Sequence, residues 1–240
     1  MLLCLIFDGA FGLLHLRSGG DSGREQSNDH PIDFIQMIVE KKIEKIKPLD
    51  RSCAQTVAQL HIEGISTGFI SSLGLPFLTA LYEAIAEDMD SFGFVATDGD
   101  DVVGFAAFST SLSKLYKQVV RRKGITFGFI LARKMFSLEA LKKVRENIFY
   151  PSKMKKMDLP DAELLSIVVA PQGRGRGVAR QLIEAGLEEC RKRHIDKVKV
   201  LVAESNKPAN ALYQNTGFER ICQVDSHGVL SNIYVVKLNG

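Results

Sequence analysis

With 240 residues, 45% of them hydrophobic and 25% charged, the chain can bury one sizeable core and has the composition of a soluble globular protein. No apolar run approaches the length of a membrane span, and the apolar start from Met1 to Phe7 lacks the basic residues of a signal peptide and meets Asp8 at once. The net charge of +3 is small, and four scattered cysteines (Cys4, Cys53, Cys190, Cys222) without C-x-x-C spacing read as reduced thiols of a cytoplasmic protein and argue against a metal site.

Residues 1–36 stand apart from the rest of the chain. The stretch from Arg17 to His30 is polar, rich in turn formers and without hydrophobic period, which predicts disorder, and Met37 is the expected native start. A strand pattern runs from Ile38 to Ile46 and ends at Pro48. Asp50 is placed to cap a helix carrying Val57, Leu60 and Ile62, on which His61 reads as a surface or packing residue. The glycines and hydroxyls between His61 and Gly74 suit a loop, either a plain connection or one that shapes a pocket. A second helix starts near Pro76, with Phe77, Leu78, Leu81, Tyr82 and Ile85 on its apolar face. Phe92–Thr97 and Val102–Ser109 read as strands joined by the hairpin turn sequence Asp98-Gly99-Asp100-Asp101.

Residues 111–160 hold two or three helical patterns and end in a segment bracketed by Pro151 and Pro160. Between Lys114 and Lys156 there are 13 Lys and Arg against only Glu139 and Glu146, so this segment carries +11 and the rest of the chain −8. Such a bias reads either as a solvated helical face or as a surface for an anionic partner. Beyond it, Leu164 to Val169 is an apolar strand, and a helix begins near Val178 with Leu182, Ile183 and Leu187 at helical spacing. Val198–Ala203 reads as the next strand, and Glu204-Ser205-Asn206 ends it. A short helix then runs from Lys207 through Tyr213, with Pro208 in its first turn and Gly217 as its C-cap, and Phe218 opens another strand.

Gln172-Gly173-Arg174-Gly175-Arg176-Gly177 links the apolar strand to the helix at Val178. Its glycines let the backbone turn tightly and approach a ligand, and the helix start offers unpaired N–H groups with partial positive charge. A phosphate or diphosphate is the natural guest, and Arg174 and Arg176 add full charges. A P-loop is excluded, because Gly177 is followed by Val178-Ala179 rather than Lys and a hydroxyl residue. The even spacing of Gly173, Gly175 and Gly177 also departs from the G-x-G-x-x-G dinucleotide fingerprint, and Glu204 comes too late to be its acidic partner.

The segment resembles the acetyl-CoA-binding motif of the GNAT superfamily of N-acetyltransferases, Q/R-x-x-G-x-G/A, at Gln172, Gly175 and Gly177, with Ala179 at a customary small position. A second signature, N-x-x-A-x-x-L-Y-x-x-x-G-F, is similar at Asn206, Ala209, Leu212, Tyr213, Gly217 and Phe218. The likeness covers about residues 39–110 and 160–238, most closely the second block. It implies an α/β (α+β) fold with a central, mixed, mostly antiparallel sheet of six to seven strands flanked by helices. That sheet is splayed between its fourth and fifth strands, and residues 111–160 form a helical insertion in a domain spanning 37–240.

The resemblance also implies a mechanism. The pantetheine arm of acetyl-CoA lies in the splay, held by backbone groups along Ile167, Val168 and Val169, while its diphosphate meets Gln172, Gly173, Arg174, Gly175, Arg176, Gly177, Val178 and Ala179. Asn206 is a further cofactor contact. Tyr213 stands where the family keeps a general acid, and a phenol with a pKa near 10 is protonated at neutral pH. Glu163 resembles the catalytic glutamate of some members. The expected partners are acetyl-CoA and a small-molecule amine, with no metal and no nucleic acid. The basic insertion favours an anionic acceptor such as a nucleotide-linked amino sugar, and contact with an anionic membrane surface and a homodimer stay open. So do a non-catalytic acyl-CoA-binding domain and a protein-amine acetyltransferase.

Overall fold

The computed structural model describes residues 45–66, 69–115, 117–118, 121, 157–226 and 229–238. Its strands are β1 (Lys45–Pro48), β2 (Ser91–Asp98), β3 (Asp101–Ser109), β4 (Glu163–Val169), β5 (Lys197–Ala203), β6 (Glu219–Ser226) and β7 (Val229–Lys237). The helices are α1 (Ala54–Gly64), the single turn α2 (Phe69–Ser72), α3 (Leu75–Ala86), α4 (Val178–Lys192) and α5 (Lys207–Asn215). The strands form one sheet in the order β1-β2-β3-β4-β5-β7-β6. Every neighbouring pair is antiparallel except β4 and β5, which are parallel.

Successive side chains of a strand face opposite ways, and β3 shows the result. Phe105 and Ala107 enter one core with Val57 of α1 and Leu78 of α3, whereas Ala106 and Phe108 enter another with Leu182 of α4 and Tyr213 of α5. The sheet is therefore buried on both faces, with α1 and α3 on one and α4 and α5 on the other. On the second face Gly186 of α4 lies directly over the Phe108 ring, where any Cβ would collide with it. That contact lets the helix sit close to the sheet, and Phe108 in turn stacks on Phe92 with ring centroids 5.4 Å apart.

Local signals fix most element ends. Asp50 accepts hydrogen bonds from Ser52 N (2.8 Å) and Cys53 N (3.2 Å), so it caps a short 3-10 turn, Arg51–Cys53, that leads into α1. The β2–β3 hairpin closes through Gly99 at φ 59°, with Asp98 opposite Asp101. Gly217 at φ 87° terminates α5, and Phe218 N donates back to Tyr213 O at 3.0 Å.

One expectation needs correction. His61 to Gly64 belong to α1 rather than to a loop, and only Ile65 to Gly74 carries the connection with the turn α2 inside it. Gly64 ends the helix against β4, where a Cβ would run into the Val168 side chain. The glycine marks close approach of helix and sheet there. Residues 1–36, the part of the expected first strand from Ile38 to Glu44 and most of 111–160 lie outside the described residues.

Candidate active site

The central feature is a gap in the sheet. Strands β4 and β5 are in register at one position, Glu163 opposite Lys199, where Lys199 N also donates to Ala162 O at 3.0 Å. Beyond it the two strands part, although β3–β4 and β5–β7 continue as full ladders on either side. Ala170 N donates to Val103 O at 2.9 Å, which sets the alternation of hydrogen bonding along β4. Residues 166, 168 and 170 bond to β3, so the N–H and C=O groups of Ile167 and Val169 face the gap. Val168 pairs with Phe105, so its backbone groups face β3 while its side chain packs under α1.

The open end of the gap leads into the loop before α4. Pro171–Gly173 forms a 3-10 turn, in which Gly173 is buried, and a Cβ there would press on Val103 O at 3.1 Å. Gly175 and Gly177 have φ of 73° and 74°, a region that favours glycine. A Cβ on Gly175 would meet nothing within 4 Å, so the loop presents bare backbone there. Gly177 is the N-cap of α4 and gives no side-chain cap; the first turn closes only with Gln181 N bonding Gly177 O at 3.1 Å. The N–H groups of Val178, Ala179 and Arg180 are those a helix leaves without an internal partner. The opening thus brings bare loop backbone and unpaired helix N–H groups next to an open strand edge.

Its two arginines do different things. Arg174 is exposed, with Nε donating to Val169 O at 3.2 Å. Arg176 is folded away, its Nη1 donating to Asp98 Oδ2 at 2.6 Å with the side chain only 10% exposed. The guanidinium read as a phosphate ligand thus braces the loop against the β2–β3 hairpin, leaving its backbone as the part near the helix start. Gln172 lies exposed on the turn.

At the far side of the gap, Asn206 is the N-cap of α5 and its Oδ1 accepts from Ala209 N at 3.1 Å, which leaves Nδ2 as its donor. Tyr213 is 2% exposed and lies between Phe218 and Tyr234, with ring centroids 5.8 and 6.1 Å away. Sequence reasoning missed Asn210, which holds this end together. Its Nδ2 donates to Ala203 O (2.9 Å) and Asn206 O (2.6 Å), and its Oδ1 accepts from Asn232 Nδ2 (2.7 Å) and Tyr234 Oη (2.9 Å). A buried amide with every polar atom used ties α5 to β5 and β7. The signal was present as Asn206-x-x-x-Asn210, one helical turn apart.

Glu163 lies at the closed end, buried, with Lys199 Nζ 3.6 Å from its Oε2. Lys199 is buried too and its ammonium also donates to Pro160 O and Asp161 O. Burial works against the ionised form of Glu163, and the Lys199 ammonium works for it. Among the described residues, no group of three His, Cys, Asp or Glu side chains is arranged to hold a metal ion.

A seven-stranded sheet parted between β4 and β5, with a glycine loop and an uncapped helix start at the opening, is the acetyltransferase fold. The chain belongs to the Acetyltransferase (GNAT) family, whose pattern matches residues 63–218. Curated relatives include a mycothiol acetyltransferase of Thermobispora bispora, 41% identical over 63 residues, or 26% of this chain and 21% of that protein. Another, from Beutenbergia cavernae, is 32% identical over 76 residues, or 32% of this chain and 26% of that protein. The chain thus matches about a quarter of the length of these relatives. Among solved structures, Arabidopsis thaliana NAA60 in complex with acetyl-CoA has a TM-score of 0.52 at 17% identity, covering 82% of this chain and 99% of that one. Salmonella typhimurium yncA with its cofactor acetyl-CoA has a TM-score of 0.53 at 14% identity, covering 81% and 94%.

Proposed function

We propose that this acetyltransferase moves the acetyl group of acetyl-CoA to a primary amine on an anionic small molecule. The observation that carries the reading is the gap between β4 and β5, open at its loop end onto the uncapped start of α4. Acetyl-CoA fits the residues present there. Ile167 and Val169 offer strand-edge backbone groups to an amide-containing arm, and Gln172 to Ala179 offer glycine backbone, helix N–H groups and the Arg174 charge to a diphosphate. Asn206 adds its amide donor. When bound, the cofactor supplies an activated acetyl thioester; the protein's part is to hold it, exclude water and manage protons.

Tyr213, protonated at neutral pH, is the group to give a proton to the departing thiolate. Its burial among Phe218 and Tyr234 fixes the ring. Tyr213→Phe should therefore lower kcat by roughly 10²–10⁴ with acetyl-CoA affinity preserved. A variant that keeps most of its turnover, with chemistry shown to limit the rate, removes Tyr213 from the reaction. Glu163 is the carboxylate to accept the amine proton, and its tie to Lys199 holds it at the closed end of the gap.

The anionic acceptor rests on the +11 segment between Lys114 and Lys156, and partial likeness to proteins named mycothiol acetyltransferase accords with a small-molecule acceptor. Release of CoA, followed against amines of graded charge, tests the reading. Anionic amines should show the lowest KM, and salt should raise that KM while leaving the KM for acetyl-CoA nearly unchanged, because exposed charges are screened within about 10 Å at 0.1 M. Equal KM values for neutral and anionic amines would remove the anionic acceptor.

A further inference from the structure

A row of buried polar side chains crosses the sheet at the closed end of the gap. Ser91 of β2 opposes Ser109 of β3, Ser109 opposes Glu163 of β4, and Glu163 opposes Lys199 of β5. All four are buried. Ala107 and Leu201, two residues from Ser109 and Lys199, lie in the core under α1 and α3, so alternation puts the row on that face. Burying polar groups costs free energy unless they are paired, so what each one pairs with is informative.

The serine protons run away from Glu163. Ser91 Oγ donates to Ser109 Oγ at 3.1 Å, and Ser109 Oγ donates to Asp90 O at 3.4 Å. Lys199 faces the other way. Its backbone N–H donates to Ala162 O at 3.0 Å, and its ammonium donates to Pro160 O and, at 3.3 Å, to Asp161 O. An ammonium has three donors, and uncharged carbonyls take two of them, which fixes the nitrogen but leaves its charge to be met. Glu163 Oε2, 3.6 Å away, meets it. One side chain of β5 thus grips residues 160 to 163, the lead-in to β4 and its first residue.

Other titratable groups about the row have partners of their own or face solvent. Asp90, beside Ser109, pairs with Lys114 at 2.9 Å nearer the surface, and Asp161 lies exposed on the lead-in. Of the helices over this face, α1 brings His61, which burial keeps neutral and which hydrogen-bonds Tyr82 of α3, itself bonded to Ser166 of β4. Burial works against the Glu163 carboxylate, and among the described residues Lys199 is the cation that works for it. A buried carboxyl without such a partner keeps its proton, and a protonated carboxyl cannot take one from an amine.

We propose that Lys199 is a positioning residue for acetyl transfer, its ammonium holding the Glu163 side chain as a carboxylate at the end of the gap, ready for the amine proton. In the transfer the amine nitrogen bonds the acetyl carbon and the carbon–sulfur bond breaks. The thiolate takes the Tyr213 proton, the amine proton passes to Glu163, and both side chains then exchange back with solvent. Lys199 keeps its protons throughout, and its charge, left without a counter-charge, favours release of the proton that Glu163 gained. This role rests on Glu163 as the base of the proposed function, and it falls to a residue outside both sequence motifs.

The first measurement needs no acceptor. Glutamate carrying ¹³C at its side-chain carboxyl is incorporated into the full chain, and the Glu163 signal, assigned by its loss in Glu163→Gln, is followed by NMR against pH. The parent should hold Glu163 as a carboxylate at neutral pH. Lys199→Met should move its titration to higher pH, and Lys199→Arg, which keeps the charge, should leave it near the parent. Turnover is then read with the amine of the charge panel that releases CoA fastest. Lys199→Met should lose roughly 10²-fold in kcat at neutral pH, within the worth of a positioned base, with the loss recovered as pH rises and acetyl-CoA affinity unchanged. An identical Glu163 titration in the parent and Lys199→Met overturns the proposal, as does a loss of kcat equal at every pH. If Lys199→Met fails to fold, a protonated Glu163 in the parent at neutral pH overturns it. Full turnover in Glu163→Gln removes Glu163 as the base and this role with it, while the acetyl-CoA site stands.

Discussion

Gly175→Glu should abolish measurable acetyl-CoA binding while the protein stays folded. At φ 73° an L-residue carries strain of about 1–2 kcal/mol, but its Cβ would meet nothing within 4 Å, so no neighbour has to move. The new carboxylate would stand at the start of α4, where the proposed function sets a diphosphate against the loop and helix N–H groups. Like charges brought together in a desolvated site cost several kcal/mol, and each 1.4 kcal/mol is tenfold in affinity, so a loss of about 10²-fold or more is expected. Gly175→Ala isolates the strain, because it adds a methyl without charge, and it should retain most of the affinity. Calorimetry on the two variants decides the matter. A folded Glu variant that binds as the parent does would move the diphosphate away from this loop.

The second large effect is on stability in mild acid. His61 has a folded pKa of about 4 against an ordinary value of 6.5, with burial as the cause. A group whose folded pKa is depressed takes up its proton first in the unfolded chain. Stability is therefore full above about pH 6.5 and declines as pH falls toward 4, by on the order of 3 kcal/mol in all. Asp50, held below its ordinary 3.8 chiefly by the Ser52 hydroxyl, adds its own loss only at still lower pH, so the two contributions separate. Urea midpoints measured from neutral pH to about pH 4 should slope downward in the parent. The slope should be much flatter in His61→Gln, whose side chain does not titrate. An equal slope in both would assign the acid sensitivity elsewhere.

These two cases also show what a sequence discloses. Gly175, Gly177 and Gly217 were legible because a positive φ, a helix start and a helix end are set by a residue and its chain neighbours. The strands read well for the same reason, since alternating burial is a local pattern. The His61–Tyr82–Ser166 line was not legible, because its members are 21 and 84 residues apart and meet only when α1 and α3 pack on β4. Lys199 drew no reading of its own within its strand, yet it is buried against Glu163 at the one rung described between β4 and β5. Arg176 shows a different limit. Its charge beside the glycine loop was visible, but the path of a long side chain was not, and it turned toward Asp98, 78 residues earlier.

The single rung between β4 and β5 has a mechanical consequence. Among the described residues, the four strands on one side and the three on the other are linked within the sheet only where Glu163 meets Lys199. The sheet is in effect two plates sharing a corner, and on the proposed function the arm of acetyl-CoA would fill the seam as an eighth strand. Whatever fills the seam binds the folded chain and not the unfolded one, so it adds to stability as its concentration rises above its dissociation constant. On the proposed function, the stability of the fold would then rise with the supply of acetyl-CoA.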